Sequence, residues 1–218
     1  MATRFYTDPT NAPDVSPGFH FTWEDTSQVV RRKLLIDTPG NNGSTEFNFN
    51  EIAAFNEDVL AVQFVSEPLD AISATLPTGK VAFRFIESNA KANCVLTVLF
   101  AKCDSDGNNY YIIERATDDT EFDTGGLTNR YWTGNLSDRV FSQGDRLIVE
   151  VGAVFLYAKD SSYNATISVT DNSGSDLPEN DTETAAYNSW IETGDTFTEA
   201  SGDPPWEVVK LGPMFAFA

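Results

Sequence analysis

Apolar side chains recur at every second position through long stretches of this sequence. That period suits strands with one buried face and does not suit helices. In 80–87, Val81, Phe83 and Phe85 share a face while Arg84 takes the other. In 94–102, Cys94, Leu96, Val98 and Phe100 line up, and in 146–155 Leu147, Val149, Val151, Ala153 and Phe155 do so. In 164–170, Ala165, Ile167 and Val169 alternate with Thr166, Ser168 and Thr170. Further strands are expected over 29–36, 59–66, 69–76, 109–116 and 126–132. Asp106-Gly107 sits between two strand-like runs and predicts a hairpin, because both residues tolerate positive φ. Pro77-Thr78-Gly79 and Gln143-Gly144-Asp145 mark other turns. No long segment carries a helical apolar stripe; 51–58 and 181–187 read as short helical turns at most. Roughly nine or ten short strands with little helix predict an all-β fold, an antiparallel β-sandwich of jelly-roll type.

The expected organisation is a single sandwich domain over 1–195 with an N-terminal arm over about 1–18. The polar, acidic stretch 171–195 reads as a long loop across the sandwich. Residues 196–218 read as a C-terminal extension, apolar at its end, that docks on its own sandwich or on a neighbouring subunit.

Thirty-three acidic residues against fourteen basic ones give a net charge of −19. That balance argues against binding nucleic acid through its phosphates and against an anionic membrane surface, both of which need clustered Lys and Arg. No secretory leader or membrane-spanning run is visible, so synthesis and folding in the cytosol are expected. Cys94 and Cys103 are the two cysteines. Nine residues of straight strand hold them roughly 30 Å apart, whereas a disulfide needs Cα atoms about 6 Å apart. Two reduced thiols are expected, with Cys94 as a small core residue.

The reactive inventory is thin. His20 is the single histidine; it lies in the alternating segment Phe19-His20-Phe21-Thr22-Trp23 and reads as a strand residue on a polar face rather than a catalytic base. There is no GxSxG. Asp104-Ser105-Asp106-Gly107-Asn108 begins like a calcium loop, but its glycine comes two positions early for that role, so the hairpin reading is preferred. Asp171 to Asp176 is a second oxygen-rich loop. No metal ligand set, cofactor or catalytic group is assigned. Paired carboxylates such as Glu114 and Glu150 cannot be singled out among so many.

Two groups remain as candidate binding residues. Arg31, Arg32 and Lys33 form a basic trio, suited either to an acidic partner subunit or to a salt-bridged strand end. Tyr131, Trp132, Tyr187 and Trp190 are candidate sugar-stacking rings, with Tyr110 and Tyr111 also available. The competing reading for all of them is core packing.

Several stretches together carry a resemblance: Arg4-Phe5-Tyr6, Pro13 to Pro17, Trp23-Glu24-Asp25-Thr26-Ser27, Arg31-Arg32-Lys33-Leu34, Val59 to Leu69, Leu127-Thr128-Asn129-Arg130, Gly144 to Gly152, Ser175 to Glu179 and Tyr187 to Glu192. From about residue 3 to residue 193 the chain resembles a family of proteins encoded by tailed bacteriophages and prophages and regarded as virion structural proteins. The resemblance implies a non-enzymatic subunit of a phage head (decoration or cement) or tail, assembled in the bacterial cytoplasm. Its partners would be other capsid or tail subunits, and it would form a homo-oligomer such as a trimer. The basic trio and Trp206, Phe215 and Phe217 of the C-terminal extension are the candidate subunit contacts. The alternative is a carbohydrate-binding or host-adhesion module. No catalytic residue is carried over.

Overall fold

A computed structural model describes residues 2–50, 57–70, 72–74, 78–156, 163–182 and 185–200. Among these are thirteen strands and no helix. They are β1 (Thr3–Thr7), β2 (Val30–Ile36), β3 (Ser44–Asn50), β4 (Glu57–Ser66), β5 (Ile72–Ala74), β6 (Gly79–Glu87), β7 (Cys94–Cys103), β8 (Tyr111–Glu121), β9 (Thr128–Gly134), β10 (Arg139–Phe141), β11 (Arg146–Phe155), β12 (Asn164–Thr170) and β13 (Trp190–Thr193).

The alternating segments are the strands they promise to be. The main ladder runs β3-β12-β6-β13-β1-β2-β4-β11-β7-β8, with β9 added to β6 and a separate β5-β10 pair. One layer is β9-β6-β12-β3 and the other β2-β4-β11-β7-β8. Strands β13 and β1 carry the hydrogen bonding from one layer to the other. The layers meet through aromatic rings: Phe64 stacks on Phe83 at 5.4 Å, Phe49 meets Phe155 edge-on at 6.1 Å, and Phe100 lies 5.9 Å from Trp132. These pairs belong to one continuous apolar core. The fold is an all-β, jelly-roll-type antiparallel sandwich. One pair departs from antiparallel order: β2 and β4 run parallel, because β3 in the opposite layer separates them in the chain.

Four strands lie where none was expected: β1, β3, β10 and β13. Thr3–Thr7 is not part of an arm. It is an interior strand between β13 and β2, with Phe5 fully buried. The stretch 171–195 is not all loop, because Trp190–Thr193 pairs with both β1 and β6. The helical turn expected over 51–58 falls mainly outside the described residues, and β4 already begins at Glu57. The described part of 181–187 is not helical. The Asp106-Gly107 hairpin is present between β7 and β8, with Gly107 at φ 81°. Both cysteines are buried and neither is disulfide-bonded.

The first residues of the C-terminal extension dock on their own sandwich. Phe197 is buried between Phe5 and Phe141, at 5.8 and 5.0 Å between ring centroids. Its N–H donates to the Thr3 hydroxyl at 2.7 Å, and Ala200 N–H donates to Pro68 O. The Thr3 oxygen satisfies a buried backbone donor. Thr3→Val is therefore expected to cost about 1–2 kcal/mol, measured as a shift of the urea midpoint at constant slope. An unchanged midpoint would show that this clasp adds nothing to the sandwich. Trp206, Phe215 and Phe217 lie outside the described residues.

Candidate binding cleft

The outer face of the β2-β4-β11-β7-β8 layer carries a buried carboxylate. Register places Arg31, Gln63, Glu150, Leu99 and Arg115 in one row across five strands. Glu150 is 0% exposed. Its carboxylate accepts the Trp23 indole N–H at 2.6 Å, the Gln63 amide at 3.0 Å and the His20 backbone N–H at 3.4 Å. Burial pushes its pKa up, and these donors pull it back towards the charged form. Gln63 also donates to Gly18 O and accepts Arg31 Nε, while Arg31 donates to Pro17 O and lies 4.2 Å over the Phe19 ring. Arg115 pairs with Asp58 at 2.6 Å and faces the Trp23 ring. The segment 17–23 is thus a strap held from beneath by a polar row that only the assembled sheet brings together.

The strap ends in a turn, not in the strand expected for Phe19 to Trp23. Trp23 N–H donates to His20 O, and Thr22 donates its N–H to His20 Nδ1, with its hydroxyl at 2.8 Å from the same nitrogen. His20 is therefore a turn-capping residue. Burial, with the Arg115 charge nearby, lowers its pKa and keeps the ring neutral. Phe21 projects from the tip, 88% exposed, with its ring 4.3 Å from His20.

Between this turn and the start of β8 lies an open cleft of about 380 Å³. Phe19, His20 and Phe21 form one wall, Tyr110, Tyr111 and Ile112 the other, and Arg139 the rim. The Arg139 guanidinium donates twice, through Nε and Nη2, to the Ile112 carbonyl. Among the described residues three large apolar side chains stand in solvent: Phe21, Tyr111 at 54% and Val140 at 63%. Phe21 and Tyr111 line the cleft, and Val140 adjoins Arg139.

The expected sugar-stacking rings do not form a platform. Tyr131 and Trp132 are consecutive in β9 and so face opposite ways. Trp132 packs against Phe100 at the core. Trp190 is 0% exposed, which removes it as a stacking surface. Its indole donates to Leu177 O at 2.7 Å, and the Arg4 guanidinium covers its ring at 3.9 Å. Tyr131 and Tyr187 pack around it, and Tyr131 donates its hydroxyl to Glu179. Arg4 in turn joins Glu192 and Asp176. Tyr110 and Tyr111, named at the sequence level only as available aromatics, are the tyrosines that reach a cleft. Phe21 was missed there, because its alternating neighbours imitate a strand.

Each member of the basic trio is engaged within its own chain. Besides the contacts of Arg31, Arg32 donates to Pro9 O and lies over Phe47, and Lys33 pairs with Glu67 at 2.6 Å. The Asp104 carboxylate accepts the N–H groups of Asp106 and Asn108 and the Asn109 amide, so the loop is closed by its own donors as a hairpin turn. Burial pushes the Cys103 thiol up to about 12, which keeps it protonated. Among the described residues no group of three or more His, Cys, Asp or Glu is arranged to hold a metal, and no helix is long and apolar enough to cross a membrane.

No protein-family model and no curated protein matches the chain. Among solved structures, it is similar to an α-amino acid ester hydrolase (13% identity, TM-score 0.48, 74% of this chain and 34% of that one). It is also similar to a CocE/NonD family hydrolase from Staphylococcus aureus (10% identity, TM-score 0.45, 88% and 36%). A third is a chain of infectious bursal disease virus, Gx strain (12% identity, TM-score 0.26, 73% and 38%). The chain spans about a third of the length of the two hydrolases. At these scores and identities the likeness carries no functional assignment.

Proposed function

We propose that this chain is a non-enzymatic structural subunit of a tailed-bacteriophage virion, a sandwich displayed on the head as a decoration or cement protein, or on the tail. What carries the reading is where the family-like motifs fall. Arg4-Phe5-Tyr6 is β1, Val59 to Ser66 lies in β4, Arg146 to Gly152 lies in β11, and Trp190 to Glu192 belongs to β13. Trp23 ends the strap and Arg31, in β2, holds it, while Leu177 accepts the Trp190 indole N–H. The stretches that carry the resemblance therefore fall on the frame and on two outer clamps, the 17–23 strap and the cluster around Trp190, not on a constellation of reactive groups. A net charge of −19 also suits a subunit kept away from packaged nucleic acid.

Mass spectrometry of purified particles from the encoding phage or induced prophage tests this. The protein is expected to co-purify with particles through a density gradient at a fixed ratio to the major capsid protein. Absence from particles that contain the other virion subunits would defeat the proposal. A second reading, carbohydrate binding, is favoured by one observation, the exposed aromatic cleft beside Arg139.

A further inference from the structure

We propose that the cleft between the 19–23 turn and the start of β8 binds an acidic saccharide, with Arg139 taking the sugar carboxylate and Phe21 and Tyr111 stacking on its apolar face. This deepens the virion reading, since a displayed subunit would meet such sugars on a host surface. Sugar binding and particle association are nevertheless measured separately.

Charge is the first argument. The chain carries thirty-three acidic residues, yet among the described residues lining the cleft there is no Asp or Glu, while Arg139 and His20 are present. Every polar side-chain group it offers can donate. Arg139 Nη1 is left over after Nε and Nη2 have fixed the guanidinium plane on Ile112 O. His20 receives the Thr22 N–H at Nδ1, so the neutral ring carries its proton on Nε2. Tyr111 adds a hydroxyl. Donors beside a guanidinium complement a carboxylate.

Preorganisation is the second. An exposed phenylalanine on a loose loop would collapse onto nearby apolar surface. Phe21 is instead held out by a turn closed through His20 and Thr22 and tied to the sheet by Glu150. An aromatic wall with a few fixed polar groups is the usual form of a small-ligand site. A long polyanion would be repelled by a protein of this charge, whereas a short saccharide carrying one or two carboxylates would be repelled far less.

The test is isothermal titration of the full chain with an oligosaccharide of alternating glucuronic acid and N-acetylglucosamine, and with galacturonate and sialic-acid oligosaccharides. Each is compared with its carboxyl-reduced, neutral counterpart. At least one acidic member is expected to bind, and its neutral counterpart about tenfold more weakly, as for loss of one charged hydrogen-bonded pair. Phe21→Ala and Arg139→Met are expected to weaken binding at least fivefold with the melting temperature unchanged, while Tyr187→Ala, on the other clamp, leaves it intact. No binding at millimolar concentration across the panel, equal affinity for acidic and neutral forms, insensitivity to both cleft variants, or tighter binding of a glutamate-rich peptide would overturn the assignment. None of these outcomes bears on whether the protein is found in particles.

Discussion

Gly152→Ala is expected to destabilise the sandwich by about 3–5 kcal/mol, a fall in melting temperature of roughly 10 °C for a chain of this size. Gly152 lies in β11 where the register against β4 shifts, so that Val151 faces Val62 and Gly152 faces Leu60. A Cβ there would stand 2.1 Å from the Val59 carbonyl oxygen and 3.0 Å from Leu60 Cα. Neither is the movable end of a side chain. The central β4-β11 ladder would have to open, because both strands are clamped by further neighbours, β2 and β7. The same Cβ meets the Trp23 ring at 3.0 Å, so the strap would also be levered away from Glu150. Gly174→Ala, with nothing within 4 Å of its Cβ, is the control and should melt with the wild type. Thermal unfolding followed by far-ultraviolet circular dichroism checks both. A Gly152→Ala protein within 3 °C of wild type would mean that β4 and β11 can separate at little cost.

This close approach illustrates what local sequence does and does not carry. Strands β6, β7, β11 and β12 were legible because each lays apolar residues on one face at period two. Strand β1 was not, because TRFYT places a single apolar side chain, Phe5, inward and presents Arg4 and Tyr6 outward as half-polar residues. Strand β3 alternates, but its polar positions are Asn, Glu, Thr and Ser and it lacks Val and Ile. Strands β10 and β13 are only three and four residues long. The cleft was less legible still. Arg31, Gln63 and Glu150 become neighbours only because β2, β4 and β11, far apart in the chain, lie side by side in one layer. In the sequence, Glu150 is one charge in an apolar strand. FHFTW alternates like a strand, yet it is a turn because Trp23 turns back to a carboxylate that only sheet assembly supplies. The opposite faces of Tyr131 and Trp132, by contrast, follow from their adjacency in any strand.

Glu87→Gln is expected to leave stability near the wild-type value at pH 5 and to raise it by about 2–3 kcal/mol at pH 8. Glu87 ends β6 and is 1% exposed. Its Oε2 accepts the Cys94 N–H at 2.8 Å, which ties the start of β7 to the end of β6. Its Oε1 is buried without a donor, and the side chain lies within interaction range of the Glu121 carboxylate. Two carboxylates in contact lack only a proton between them. Burial, partly offset by the Cys94 N–H and reinforced by the Glu121 charge, pushes the Glu87 carboxyl up to about 7. Between its ordinary value of 4.5 and about 7, the folded chain holds a proton that the unfolded chain has lost. Stability from this group is therefore complete below the unfolded value, falls as pH rises through that window, and is flat above it. Asp8 works in another window: its burial is outweighed by bonds from Asn11 and Thr10, its pKa is lowered, and its contribution is lost in acid. Glu150, Asp118 and Asp171 are also raised, chiefly by burial. For that reason the wild-type curve alone does not isolate Glu87, and the difference between wild type and variant does. Glutamine fits the site in one orientation, its oxygen accepting from Cys94 and its amide donating to Glu121, which reproduces the protonated acid at every pH. Urea unfolding of both proteins from pH 5 to pH 8 is the measurement. Parallel curves would show that the Glu87–Glu121 contact holds no proton; curves that lie within about 1 kcal/mol at pH 5 and diverge with rising pH would place it there.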